Sequence, residues 1–178
     1  GNTFGGHTII PTIKNFIGRN KVKEFTVVAD AAMISSENIT QLNQNEINYI
    51  VGARLGNLSI KLLGTIDEQI VRQDGKSIRI KTELGYLICS YSSVRYRKDL
   101  YEMNKGYYTS LEENIADNKT IIERYHELYK IEQAFRVSKS DLQTRPIFHF
   151  KEQPIKLHIL ICFMALVISK HIEIKAGV

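Results

Sequence analysis

Apolar residues recur at helical spacing from Thr8 to Ile17, where Ile9, Ile10, Ile13, Phe16 and Ile17 share a stripe. Pro11 suits a first turn and Gly18 ends the pattern, so a short amphipathic helix is predicted there. The β-branched run Phe25-Thr26-Val27-Val28-Ala29 has little polar interruption, as in a strand covered on both faces, and it ends in Asp30. Ser35 or Ser36 then offers an N-cap for a helix through Leu42, and Tyr49-Ile50-Val51 reads as a second buried strand. Together these predict a β-α-β unit.

From about Ile66 the period shortens to that of strands. Gln69-Ile70-Val71-Arg72 and Ser77-Ile78-Arg79-Ile80 flank Asp74-Gly75, a strong hairpin signal, and Tyr86 to Tyr91 adds another strand. Val94 to Met103 reads as a charged helix and Gly106 to Leu111 as a strand, so residues 64–112 are predicted to form antiparallel β material set into an α/β framework. A long helix begins at Asn118 or Thr120 and ends before Arg145-Pro146, and Pro154 opens a last helix. Its apolar run, Ile159 to Ile168, is about half of the roughly 20 residues that a membrane span needs, which predicts a buried core helix and no membrane partner.

The 178 residues, 43% hydrophobic and 24% charged, have the balance of a folded domain, and the net charge of +5 favours a polyanionic partner. Cys89 and Cys162 lie too far apart for a CxxC metal or redox motif, which fits a reducing cytoplasm. The chain opens on Gly1-Asn2-Thr3 without a charged-then-apolar leader, so no signal peptide is expected. The histidines His7, His126, His149, His158 and His171 show no metal-ligand spacing.

The long helix carries the candidate chemistry. Seven residues turn an α-helix through about 700°, about 20° short of two full turns. Tyr125, Glu132 and Lys139 therefore fall on the stripe that also holds Ile121, Leu128, Phe135 and Leu142. A carboxylate on an apolar, core-facing seam needs a compensating cation or donors. Two readings follow for Glu132: an ion pair with Arg136 or Lys139, or a metal ligand. Asp30, at a strand end, is either a turn former or a ligand-binding carboxylate at the carboxyl edge of an α/β sheet. As a pair, the two supply the hard oxygen donors that a divalent-metal site for phosphoryl transfer requires.

The segment from Tyr125 to Pro146, with Tyr125, Glu132 and Lys139 in the spacing Tyr-x2-Arg-x3-Glu-x6-Lys, resembles the third acidic block of DDE-type bacterial insertion-sequence transposases. Val27-Val28-Ala29-Asp30-Ala31-Ala32-Met33 resembles the block around that family's second Asp, and Ile155 to His171 its closing helix. The resemblance implies a ribonuclease H-like α/β fold, a mixed sheet flanked by helices with an antiparallel β insertion. It implies Asp30 and Glu132 as catalytic, metal-binding residues for Mg²⁺ or Mn²⁺, and Tyr125, Arg136, Lys139 and Arg145 as DNA contacts. The implied partners are transposon-end and target DNA, with room for a homodimer in the active complex.

Three positions depart from the family pattern. The signature Arg falls on Leu128, no residue here matches the first catalytic Asp, and no Trp is present to stack a flipped base, a role open to Tyr86 or Tyr91. The basic, aromatic-interleaved stretch of Arg95, Arg97 and Lys98 among Tyr91, Tyr96 and Tyr101 reads either as a solvated helix face or as a track for a phosphate backbone. The expectation is the C-terminal part of a transposase catalytic domain, spanning residues 1–178 and acting on DNA in the bacterial cytoplasm. The alternative is a catalytically inactive remnant that binds DNA or protein at most.

Overall fold

The computed structural model describes residues 5–22, 24–32, 35–93 and 104–177. Two units divide the chain, Gly1–His126 and Glu127–Val178.

The first unit is built on a mixed sheet. Helix α1 (Gly5–Asn20) is followed by β1 (Thr26–Ala29), α2 (Ser36–Gln44) and β2 (Asn48–Ala53). A 3-10 turn (Leu55–Asn57) leads into α3 (Ile60–Gln69), then β3 (Ser77–Thr82), β4 (Gly85–Tyr91), β5 (Asn104–Thr109) and α4 (Asn118–His126). Among the described residues the sheet has five strands in the order β1-β2-β5-β4-β3, with β1 and β2 parallel and the other pairs antiparallel. The predicted β-α-β unit is present, and Ser35 caps α2 by accepting from the Asn38 N–H at 3.2 Å.

Alternation along the strands sorts the core onto the two faces of the sheet. Tyr49 and Val51 pack with Ile10, Ile39 and Leu42 of α1 and α2, and Leu87 and Cys89 pack with Ile66 of α3 and Ile70 just beyond it. Ile50, Ile88 and Tyr107 face the other way, onto Ile121 of α4. Burial pushes the Cys89 thiol up to about 12, so it behaves as a small apolar core residue.

Several expectations change. Helix α1 runs past both predicted limits, with Pro11 inside it, because proline removes one hydrogen bond and the surrounding turns supply the rest. No hairpin forms around Asp74-Gly75: Ile66 and Gln69 belong to α3, whose stripe Leu62, Ile66 and Ile70 already has helical spacing and whose N-cap is Ser59. The hairpin is instead β3–β4, closed by the two-residue turn Glu83-Leu84. Gly85 follows it at φ +105°, where a Cβ would stand 2.5 Å from the Thr109 carbonyl oxygen. The antiparallel strands β3, β4 and β5 extend the sheet of β1 and β2 through the β2–β5 pairing. The helix predicted at Val94 to Met103, with Arg95, Tyr96, Arg97, Lys98 and Tyr101, lies outside the described residues.

The second unit consists of α5 (Leu128–Ser140) and α6 (Glu152–Ala176). The single long helix expected from Asn118 is thus interrupted at Glu127, with no Pro or Gly to announce the break. Between α5 and α6, Thr144 donates to the Ser138 carbonyl at 2.6 Å, the His158 ring meets the Thr144 carbonyl at 3.3 Å, and Cys162 Sγ approaches the Leu142 carbonyl at 3.7 Å. Helix α6 is not the buried core helix predicted. Cys162 is its one buried residue, while Leu160, Phe163, Met164 and Ile168 are more than half exposed. Its sequence is apolar around the whole circumference, so one neighbouring helix covers only a stripe of it. With 25 residues, and a mean hydropathy of 1.8 over an 18-residue window within them, α6 is long and apolar enough to cross a membrane by those two measures alone.

Candidate functional site

Asp30 follows β1 directly and is exposed at the carboxyl edge of the parallel pair. That edge collects ligands in α/β sheets, because loops and helix N-termini converge there while the strands fix their positions. The Tyr125 hydroxyl, from the last turn of α4, donates to Asp30 Oδ1 at 3.4 Å. Tyr125 is itself held. Its ring meets the buried Tyr107 ring edge-on, with centroids 4.8 Å apart at 62°, and the Tyr107 hydroxyl lies 3.3 Å from His126 Nε2. Partial burial, and then the charge of Lys105, hold the His126 ring below its ordinary pKa, which favours the neutral imidazole.

Gly52 of β2 makes room for this arrangement. A Cβ at that position would stand 2.5 Å from the Tyr125 hydroxyl and 3.2 Å from the Ala31 Cβ. On the same edge a cavity of about 570 Å³ is lined by Ser35, Ser36, Arg54, Asn57, Leu62 and Tyr108, among others. Sequence reasoning passed over Gly52, Arg54 and Asn57. The signal that could have found them is that β2 runs parallel to β1, so the residues after β2 emerge at the edge that carries Asp30.

In the second unit, Glu132, Arg136 and Lys139 line one open groove of about 620 Å³ along α5, together with Phe135 and Ser140. Lys139 and Arg145 also line a groove of about 510 Å³ between α5 and α6, whose walls include Phe135, Ile159 and Phe163. Two expectations for Glu132 are corrected here. It is exposed rather than set in a core-facing seam, as are Phe135 and Lys139, and the half-buried positions of α5 are Leu128, Ala134, Val137 and Ser138. Along the predicted stripe Ile121 is buried and Tyr125, Leu128 and Leu142 are half-buried, while Glu132, Phe135 and Lys139 are exposed. Among the described residues no ion pair joins Glu132 to Arg136 or Lys139.

Both carboxylates are hard oxygen donors in kind, as Mg²⁺ or Mn²⁺ would require. Asp30 and Glu132 belong to different units, and among the described residues no three His, Cys, Asp or Glu side chains gather closely enough to hold a metal ion. The donor chemistry thus fits, while the ligand count within the described residues falls short of a complete site.

A mixed sheet flanked by helices, with an exposed carboxylate at the end of a parallel strand, defines an α/β domain. Residues 5–168 match the family model of the transposase DDE domain. The chain belongs to that family, whose members act on DNA and generally use divalent metals. No curated protein matches the chain.

Proposed function

We propose that this chain forms part of the ribonuclease H-like catalytic domain of an insertion-sequence transposase, which cleaves DNA strands and transfers them by metal-dependent phosphoryl transfer. The observation that carries the reading is the exposed Asp30 carboxylate at the carboxyl end of β1, inside a segment that the family match covers. Asp30 and Glu132 hold Mg²⁺ or Mn²⁺, which when bound supplies charge stabilisation at the reacting phosphate. Tyr125, Arg136, Lys139 and Arg145 bind the DNA, the two cations of the Glu132 groove by pairing with backbone phosphates. Residues 64–112 serve as the β insertion. The partners are transposon-end and target DNA, engaged by a homodimer in the bacterial cytoplasm, and a membrane has no part in the reaction. Nothing in the family match favours an inactive remnant over a transposase.

The test compares this chain, a form extended upstream in frame to a strand that supplies the first Asp, and the Glu132→Gln variant of the extended form. The readout is Mn²⁺-dependent nicking and joining of plasmid DNA. Cleavage by the extended form that Glu132→Gln abolishes supports the reading. Cleavage that survives Glu132→Gln removes Glu132 from the site, and no cleavage by an extended, folded form that binds DNA overturns the activity.

A further inference from the structure

We propose that Tyr125 is a positioning residue for Asp30: its hydroxyl, seated in the opening left by Gly52, orients the Asp30 carboxylate toward the cation that Asp30 takes. The inference deepens the reading of Asp30 as a metal ligand and rests on it.

An exposed carboxylate at a strand end turns freely about its side-chain torsions, and a ligand that is free to turn loses entropy when it binds a cation. A donor on one oxygen removes that freedom and leaves the other oxygen to face outward, the service that outer hydrogen-bond partners give to metal-binding side chains. The Tyr125 hydroxyl is such a donor to Oδ1, at 3.4 Å.

Two features make the contact a built one. The Tyr125 ring is packed edge-on against Tyr107, which is 1% exposed, and within the cluster of Ile50 and Ile121, so the aromatic arm cannot swing away without opening the core. The hydroxyl end lies where any side chain on Gly52 would collide with it, since a Cβ would stand only 2.5 Å away. Three elements therefore converge on one carboxylate: β1 presents it, α4 supplies the donor, and β2 leaves the space. A tyrosine that served packing alone would need its ring and not its hydroxyl.

The inference is tested with Tb³⁺, a hard oxygen-seeking cation whose emission is sensitised by nearby tyrosines. Titration midpoints are read rather than intensities, because Tyr107 remains as a second antenna when Tyr125 is changed. Asp30→Asn should abolish the saturable signal. Tyr125→Phe, which keeps the ring and its packing, should weaken the midpoint about tenfold, as loss of an outer partner commonly does. Its thermal midpoint without Tb³⁺ should stay close to that of the parent chain. Gly52→Ala should weaken Tb³⁺ binding to a similar degree, and combining it with Tyr125→Phe should add little, because both remove the same contact.

A Tyr125→Phe protein that binds Tb³⁺ as tightly as the parent, in a preparation where Asp30→Asn abolishes binding, overturns the positioning role and leaves Asp30 as a ligand. Equal binding by the parent and Asp30→Asn overturns both claims, and the Asp30 arm tells the two failures apart. A Tyr125→Phe protein with a lowered thermal midpoint and an unchanged Tb³⁺ midpoint assigns the hydroxyl to stability and also overturns the proposal.

Discussion

Arg79, on the outer strand β3, donates from Nε to Asn118 Oδ1 at 3.0 Å and so ties the first residue of α4 to the far edge of the sheet. The same guanidinium donates to the Ala116 carbonyl at 2.7 Å and the Leu111 carbonyl at 3.4 Å, and it lies over the Tyr86 ring at 5.5 Å from the centroid. Asn118 returns a bond to Ser77 Oγ at 3.2 Å. The loop from β5 to α4 is thereby clamped at one end, and α4 is the helix that delivers Tyr125 to Asp30 at the other.

Arg79→Ala should lower the unfolding free energy by about 2 kcal/mol, because it leaves half-buried carbonyls without a charged donor. Arg79→Lys should recover little of this, since a point charge on a flexible stem cannot reproduce the planar fork. Urea denaturation of the two variants checks both statements, and an alanine variant as stable as the parent would remove the clamp.

Acid should weaken the start of the same helix. The Thr120 hydroxyl and backbone N–H, the latter at 2.8 Å, hold the Asp117 carboxyl below its ordinary value of 3.8. A carboxyl depressed in the folded state stabilises it above the unfolded value, and that contribution is lost as the pH falls through the lower folded value. Asp117→Asn keeps an N-cap and removes the titration. Denaturation curves from about pH 5 down to about pH 2 should show a shallower acid limb for the Asn variant at unchanged stability near neutrality. Parallel limbs would exclude Asp117 as a source of acid sensitivity.

Lys139→Ala should reduce the salt dependence of DNA binding by about one phosphate contact, a change in log-log slope of about 0.9 on duplex DNA. Lys139 is exposed on α5, so folding should be nearly unaffected. Fluorescence anisotropy over a range of salt concentrations measures the slope, and an unchanged slope would exclude Lys139 from the phosphate contacts.

Gly85→Ala should be among the more costly single substitutions in the sheet. It combines a positive φ of +105° with a Cβ placed 2.5 Å from the Thr109 carbonyl oxygen and 2.6 Å from the Tyr49 hydroxyl, which bonds the Leu84 carbonyl. A loss of about 2 kcal/mol or more is expected, read by thermal or chemical unfolding, and a neutral substitution would contradict the tightness of the β3–β4 turn.

Much of the first unit was legible in the chain itself. The β-branched run ending at Asp30, the Ser35 cap and the strand at Tyr49 to Val51 carry local signals strong enough to predict a β-α-β unit, because burial on both faces of a strand and capping of a helix are read from neighbours in sequence. Asp30 was identified by its place at a strand end. Glu132 was identified on a periodic count that assumed an unbroken helix, and it survives as a candidate by resemblance while its predicted burial does not.

Tertiary structure decided the rest. Asp74-Gly75 has the chemistry of a hairpin turn, yet its upstream flank joins α3, since helical contact of Ile66 with Leu87 and Cys89 outweighs a local turn preference. The break at Glu127 has no sequence mark, and the exposed faces of α6 follow from how little of an apolar helix one neighbour can cover. Gly52, Tyr107 and Tyr125 are far apart in the chain and come together only because β2, β5 and α4 pack around one point. Sequence by itself offered candidate residues for the chemistry and the β-α-β segments whose signals are local, as both follow from side-chain type and local period. The three-dimensional packing alone decided which hydroxyl meets which carboxylate, because contacts between distant segments depend on strand order and helix placement that no local pattern encodes.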